Sequence, residues 1–239
     1  MAIALILFAP PFAVEAGENQ YWVAGNASFF WGAMFIGFAG LCDWLDGAAA
    51  RLLGVESALG GDLDSLSDVV SFGVAPSMIL MKLLWMASMS SPGAMETTIF
   101  AVSPAFLVAC FGAVRLARFN NAAKNNYQFT GVPIPAIGIF IAGIALIVYR
   151  NEMGLAKIFT NRWVLYSIIA FCCWAMLSKI KLFTFKISNF AFAPNWGRYI
   201  WLLASIALIP FLKFAIVPVS FLLYILISII YKPQTTDTH

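Results

Sequence analysis

Charge is scarce in this sequence: Asp, Glu, Lys and Arg make up only 10% of its 239 residues, whereas 62% are hydrophobic. Soluble globular domains carry about 25% charged residues, so the composition excludes that class. The apolar runs are long and recur along the chain, which predicts helices that cross a membrane. We expect an all-α polytopic bundle of about 6–8 transmembrane helices, forming one domain over residues 1–239.

Histidine is almost absent, because the only one is the last residue, His239. A fraying terminus cannot hold a catalytic geometry, so histidine-based nucleophilic catalysis and His-rich metal sites are excluded. Cysteine is also rare, and no cysteine has metal-ligand spacing. We interpret the cysteines as small core residues; they are Cys42, Cys110, Cys172 and Cys173.

Apolar segments of mostly helical length are predicted near 2–14, 26–50, 60–86, 98–119, 132–150, 163–180, 198–212 and 214–231. The first is short, has no basic start and contains Pro10 and Pro11, so it is not a convincing signal peptide. We interpret it as a clipped first span. The helices over about 26–150 are expected to carry the catalytic site, and those over about 163–231 to complete the bundle.

Lysine and arginine divide unequally between the two faces of the predicted bundle. Of the 14 basic residues, nine fall on the side that holds the loops after the second, fourth and sixth segments and the C-terminal tail. The positive-inside rule makes that side cytoplasmic, which we assign to a cell inner membrane. Lipid headgroups, and no nucleic acid, are the expected neighbours of these bases. The nine are Arg51, Arg115, Arg118, Lys124, Lys179, Lys181, Lys186, Arg198 and Lys232.

Acidic residues concentrate in one short stretch. Six of the eleven lie between positions 43 and 68, namely Asp43, Asp46, Glu56, Asp62, Asp64 and Asp68. Carboxylates at membrane depth are costly and mark functional sites. Helical spacing places Asp43 and Asp46 on one helix face, and Asp64 and Asp68 on another. A turn between the two helices would bring these faces together, whereas Asp62 is off the Asp64 face and is interpreted as a solvated turn residue.

Four facing carboxylates repel each other unless cations lie between them. Mg²⁺ or Mn²⁺ suit a site made only of carboxylate oxygens, and two such cations suit phosphoryl transfer. The small side chains of Gly47, Ala50 and Gly60 would let a ligand approach closely, and Arg51 can form a bidentate contact with a phosphate. A cation transporter that uses the same carboxylates is the alternative from another class.

The pattern Asp43-x2-Asp46-Gly47-x2-Ala50-Arg51-x8-Gly60-x3-Asp64-x3-Asp68 resembles the signature of the CDP-alcohol phosphotransferases at all eight positions. The resemblance implies a homodimeric membrane enzyme with a two-metal site open to the cytoplasm. Such enzymes transfer a phosphatidyl-type group from a CDP-linked lipid to an alcohol and release CMP. It also implies that the four signature aspartates bind two divalent cations, Mg²⁺ or Mn²⁺. Asp68 would in addition be the general base, while Gly47, Ala50, Arg51 and Gly60 would line the CDP-lipid pocket.

Three further stretches, 68–76, 115–120 and 129–135, resemble the phosphatidylserine synthase branch of that family, and the likeness spans roughly 27 to 150. This implies CDP-diacylglycerol and L-serine as substrates. Arg115 and Arg118 are then candidates for binding the serine carboxylate, although they could instead anchor the helix at the membrane interface. Glycerol 3-phosphate, inositol phosphate and choline remain alternative acceptors.

Two local expectations complete the sequence analysis. Residues 120–128 are predicted to be a polar loop, with Asn120 and Asn121 as loop caps. Relatives begin with an amphipathic stretch and a first helix that contributes to the nucleotide pocket, and Met1 is expected to start inside that helix.

Overall fold

The computed structural model describes residues 1–9, 12–16, 19–23, 27–54, 58–89, 99–124, 131–150, 154–180, 182 and 192–231. Most of these residues are helical. The longer helices are α2 (Ala27–Leu53), α3 (Ala58–Asp68), α4 (Ala75–Met89), α6 (Leu107–Lys124), α7 (Ile134–Arg150), α9 (Arg162–Leu177), α10 (Phe192–Leu212) and α11 (Ile216–Tyr231). The short ones are α1 (Ala2–Leu7), α5 (Ile99–Val102) and α8 (Ala156–Phe159).

Three short segments of π-helix or 3₁₀-helix join these helices. A π-helical segment, Val69–Val74, links α3 to α4 without a break. Two 3₁₀ turns, Ser103–Phe106 and Lys213–Ala215, lead into α6 and α11. The predicted segments from 26–50 onward are therefore confirmed as helices, and the predicted fold class, a polytopic helical membrane protein, is confirmed as well.

The first predicted segment, 2–14, differs from the expectation. Only Ala2–Leu7 is helical, and the strand β1 (Phe12–Ala16) follows, paired antiparallel with β2 (Asn19–Val23) so that Phe12 faces Val23. Two consecutive prolines separate α1 from β1 in the sequence, and proline disfavours continuation of a helix. This hairpin is the one departure from an all-α fold in the described part of the chain.

Helix α7 lies at the centre of the bundle. It packs against α2, the π-helical segment, α4 and α11, and almost all of its side chains between Ile137 and Val148 are buried. A helix that is apolar on every side belongs in a core rather than at a surface. The outer helices instead expose large apolar side chains, including Trp31, Leu203 and Ile206, as expected for surfaces that face lipid.

Four stretches of the described residues are long and apolar enough to cross a membrane: Ala27–Ala50, Leu59–Met89, Ile99–Asn121 and Trp196–Ile230. The last is a helical hairpin rather than a single rod. The Trp201 indole Nε1 donates to the Ser220 carbonyl at 2.9 Å, 19 residues away. In one straight helix these residues would lie about 28 Å apart. The chain reverses at Lys213, whose φ is 46°.

Candidate active site

The acidic faces of α2 and α3 meet at one end of the bundle. Helix α2 ends at Leu53, and the next residue, Gly54, has a φ of 64°, the left-handed conformation that commonly terminates a helix. The carboxylates of Asp43 and Asp64 lie within hydrogen-bonding reach, and Asp46 acts electrostatically on Asp43. The Asp68 carboxylate is close enough to interact with both Asp43 and Asp64. We call these four residues the aspartate cluster.

The four side chains of the aspartate cluster differ in their exposure to solvent. Asp46 and Asp64 are exposed, while Asp43 and Asp68 are half-buried. A ligand can therefore enter from the end of the bundle and reach carboxylates at two depths. Asp62 is exposed, as expected, but it lies within helix α3 rather than in a turn.

The donor chemistry of the cluster fits hard divalent cations. It offers only carboxylate oxygens, and Asp43 and Asp64 are so close that a proton or a cation between them would relieve their repulsion. Within the described residues, however, no group of three or more acidic, histidine or cysteine side chains is gathered tightly enough to hold one metal ion. The four carboxylates therefore lie near one another without forming a closed coordination shell.

Arg115 on α6 supplies a positive charge beside the cluster. It interacts electrostatically with Asp68, and its side chain is only 9% exposed. The guanidinium lies over the Phe119 ring, 5.4 Å from the ring centre, and its buried Nε has no hydrogen-bond partner among the described residues. A buried donor without an acceptor is costly, so this atom is suited to receive an anionic ligand.

Arg118 occupies a different environment from Arg115. It lies on the same helix but is exposed, whereas Arg115 is buried against Asp68. From the sequence alone, both arginines are candidates for binding the serine carboxylate, and neither is preferred. The two environments favour Arg115, and that assignment stays a prediction.

The small residues of the signature follow the expected faces. Gly47 and Ala50 are half-buried on α2, and Gly60 is exposed on α3. Arg51 belongs to α2 by its backbone, but its side chain lies outside the described part of the structure. Their predicted contacts with a CDP-lipid stay predictions.

Asn120 departs from the sequence interpretation. Helix α6 continues to Lys124, so Asn120 and Asn121 are helical rather than part of a loop, and 125–128 lie outside the described residues. The Asn120 amide donates to the Ser65 hydroxyl at 3.1 Å. This bond joins α6 to α3 beside the aspartate cluster. Helical periodicity predicts contacts only between residues that are close in sequence, so it could not have predicted this hydrogen bond.

The third motif of the serine-using branch has a structural role where it is described. Gly131 has a φ of 85° and donates its N–H to the Ile180 carbonyl at 3.0 Å. A Cβ at this position would collide with the Met176 carbonyl. The glycine therefore lets the start of α7 pack against the end of α9; residues 129 and 130 lie outside the described part.

Comparison with known proteins gives a consistent result. The sequence model of the CDP-alcohol phosphatidyltransferase family matches residues 1–175. A CDP-diacylglycerol–serine O-phosphatidyltransferase of Helicobacter pylori is 31% identical over 179 residues, covering 73% of this chain and 69% of that protein. Proteins of the same name from Mycobacterium leprae and Bacillus subtilis are 29% identical over 202 residues and 33% identical over 156 residues. These alignments cover 80% and 64% of this chain, and 62% and 75% of the two relatives.

Proposed function

Because this chain belongs to the CDP-alcohol phosphatidyltransferase family, we propose that it transfers a phosphatidyl group from CDP-diacylglycerol to L-serine. The products are phosphatidylserine and CMP. The observation that carries the proposal is the convergence of Asp43, Asp46, Asp64 and Asp68 at one open end of a membrane bundle. The serine acceptor is supported by the names of the relatives and by the buried arginine beside Asp68.

Members of this family use divalent cations, and we propose two Mg²⁺ or Mn²⁺ ions here. Asp43, Asp46, Asp64 and Asp68 would hold them, since the cluster offers only oxygen donors. When bound, such ions neutralise the diphosphate and stabilise the attacking and leaving oxygens. The exposed Asp46 and Asp64 are the members of the cluster that a CDP-lipid entering from the membrane surface would reach first.

The chemical step needs a base beside the acceptor. We assign it to Asp68, which is half-buried and next to Arg115. Asp68 takes the proton of the serine hydroxyl, and the serine oxygen forms a bond to the β-phosphorus. The bond from that phosphorus to the bridging oxygen breaks, and its electron pair leaves on CMP. The only histidine is the last residue, His239, and no dedicated nucleophile is evident in the sequence, so a single displacement is favoured.

Arg115 is suited to orient the acceptor. Its guanidinium lies over the Phe119 ring, and within the described part of the chain its Nε has no acceptor, so it can donate to a ligand. A serine carboxylate at this position would place the hydroxyl of the same small molecule near Asp68. Charge-assisted hydrogen bonds of this kind are stronger than neutral ones, so Arg115 would distinguish serine from acceptors without a carboxylate.

The membrane arrangement follows from the charges of the sequence. We propose that the cluster faces the cytoplasm of a cell inner membrane, since nine of the 14 basic residues fall on that side. We also propose a homodimer, on the family resemblance. Labelling of single cysteines introduced at Asp62 and Lys157 tests the orientation, and mass measurement in detergent or nanodiscs tests the dimer.

The decisive test is a CMP-release assay on the purified protein with a panel of acceptors. We expect release that requires Mg²⁺ or Mn²⁺ and is fastest with L-serine. Faster release with glycerol 3-phosphate, inositol phosphate or choline would keep the chemistry and replace the acceptor. Cation flux into vesicles without any CMP release would replace the enzyme by a transporter.

Replacing Arg115 with alanine is expected to weaken serine binding. Loss of a hydrogen bond to a charged group costs about 1.5–3 kcal/mol, which corresponds to a rise of about 10- to 100-fold in half-saturating serine. The half-saturating concentration of CDP-diacylglycerol should stay near that of the unmodified protein. Steady-state kinetics with each substrate varied in turn measure both values.

Arg118→Ala is the matched control for this prediction, because Arg118 is on the same helix and exposed. Its half-saturating serine concentration should not change. Ethanolamine, which lacks the carboxylate, should be a poor acceptor for the unmodified protein. Equal use of serine and ethanolamine, or an equal effect of the two arginine substitutions, would contradict the role given to Arg115.

A further inference from the structure

The π-helical segment Val69–Val74 begins directly after Asp68 and carries a large buried side chain. Phe72 is 2% exposed and lies one helical turn after Asp68. π-helical turns are rare and are frequent at functional sites. The neighbours of Phe72 therefore bear on where the Asp68 carboxylate is held.

On one side, the Phe72 ring covers Gly40 of α2. A Cβ added at Gly40 would lie 3.2 Å from Cδ1 of Ile139 on α7, and 3.6 Å from Cε1 and 3.8 Å from Cζ of the Phe72 ring. Gly40 lies one turn before Asp43 on the same helix, just as Phe72 lies one turn after Asp68. The contact between Gly40 and Phe72 therefore joins the two helices next to the carboxylates they contribute.

On the other side, the backbone of Phe72 touches Gly138 of the central helix α7. A Cβ at Gly138 would lie 3.0 Å from both Cα and Cβ of Phe72. Contacts of Cβ atoms in proteins are rarely this short. Small residues let membrane helices approach this closely. Since α7 is buried along most of its length, it gives the π-helical segment a rigid support.

A third contact links the same segment to the helix that carries Arg115. A Cβ at Gly73 would lie 3.4 Å from Cα of Ala109 on α6. Phe72 and Gly73 thus touch three helices: α2, which contributes Asp43; α7, the buried central helix; and α6, which contributes Arg115.

We infer that Phe72, held between Gly40 and Gly138, is a positioning residue that fixes the distance between Asp43 on α2 and Asp68 at the end of α3. This inference rests on the proposed function, because the spacing of the two carboxylates matters only if they bind one ligand set. Phe72 touches no substrate; it acts through the backbone that carries Asp68. Constellations of this kind need a tolerance of about 0.5 Å, which close glycine contacts can provide.

Gly138→Ala tests the inference, because the added methyl must push the Phe72 backbone away from α7. We expect a folded protein whose Mn²⁺ affinity falls at least about tenfold and whose turnover falls about 10²-fold, the scale of a 1 Å misplacement. Mn²⁺ binding is measured directly by electron paramagnetic resonance, independently of turnover. Phe72→Leu, a smaller change in volume, is the second variant and should lower Mn²⁺ affinity in the same direction.

Two glycine substitutions serve as matched controls. Gly37→Ala lies one turn before Gly40 on α2 with nothing within 4 Å of the added Cβ, and it should leave Mn²⁺ affinity unchanged. Gly143→Ala is as tightly packed, with its Cβ 2.7 Å from Val217 and 2.8 Å from Pro218, but lies further along α7. It should lower the midpoint of thermal unfolding and leave Mn²⁺ affinity unchanged.

The outcomes separate this inference from the proposed function. If Gly138→Ala and Phe72→Leu both bind Mn²⁺ like the unmodified protein, the positioning role is wrong. The same holds if Gly143→Ala loses Mn²⁺ affinity to an equal extent, because general loosening would then explain the effect. If the unmodified protein itself binds no Mn²⁺ and releases no CMP, the proposed function fails first.

Discussion

Asparagine in place of Asp43, Asp46 or Asp64 is expected to abolish CMP release while the protein stays folded in detergent. Each substitution removes one negative charge from the four carboxylates that we propose to hold two divalent cations. Single ligands in a shared two-metal site are rarely dispensable, because both ions would be needed to stabilise the attacking and the leaving oxygens. CMP release at saturating Mn²⁺, with size-exclusion profiles to confirm folding, measures the effect.

The neighbouring Asp62 provides the matched control for these substitutions. It is exposed and lies on the same helix as Asp64, outside the signature. Asp62→Asn should release CMP at the unmodified rate. Near-normal turnover in any of the three cluster variants with Mn²⁺ supplied would contradict the two-metal proposal.

Asparagine at position 68 should reduce turnover far more than it reduces CDP-lipid binding. A positioned base contributes about 10²–10⁴-fold to the rate, and an amide cannot take the serine proton. Asp68 also faces Arg115, so its loss leaves the arginine without that partner. Turnover and donor affinity are measured separately, by CMP release and by binding of a radiolabelled CDP-lipid.

The comparison of the two measurements decides the role of Asp68. A large fall in turnover with donor binding retained supports the base. If donor binding fails to the same degree, Asp68 serves mainly as a cation ligand, and the proton goes to another acceptor.

Much of the bundle could be predicted because it depends on local sequence. Hydrophobic length predicts helices that span a membrane, and a period of 3.6 residues assigns each aspartate to a face. Those arguments hold for α2, α3, α7 and the two helices of the C-terminal hairpin. They were wrong where the local signal was ambiguous: the stretch 2–14 is part helix and part strand, and Asn120 is helical rather than in a loop.

The sequence by itself determined the family and the membrane class of the chain, and it predicted the four aspartates as the site, because residue type and spacing carry all three signals. Only the tertiary structure decided which arginine lies beside Asp68, which side chain receives the Asn120 hydrogen bond, and that Phe72 sits between Gly40 and Gly138. These contacts join helices that are distant along the chain. No local period encodes them, since they arise from how closely small residues let the helices pack.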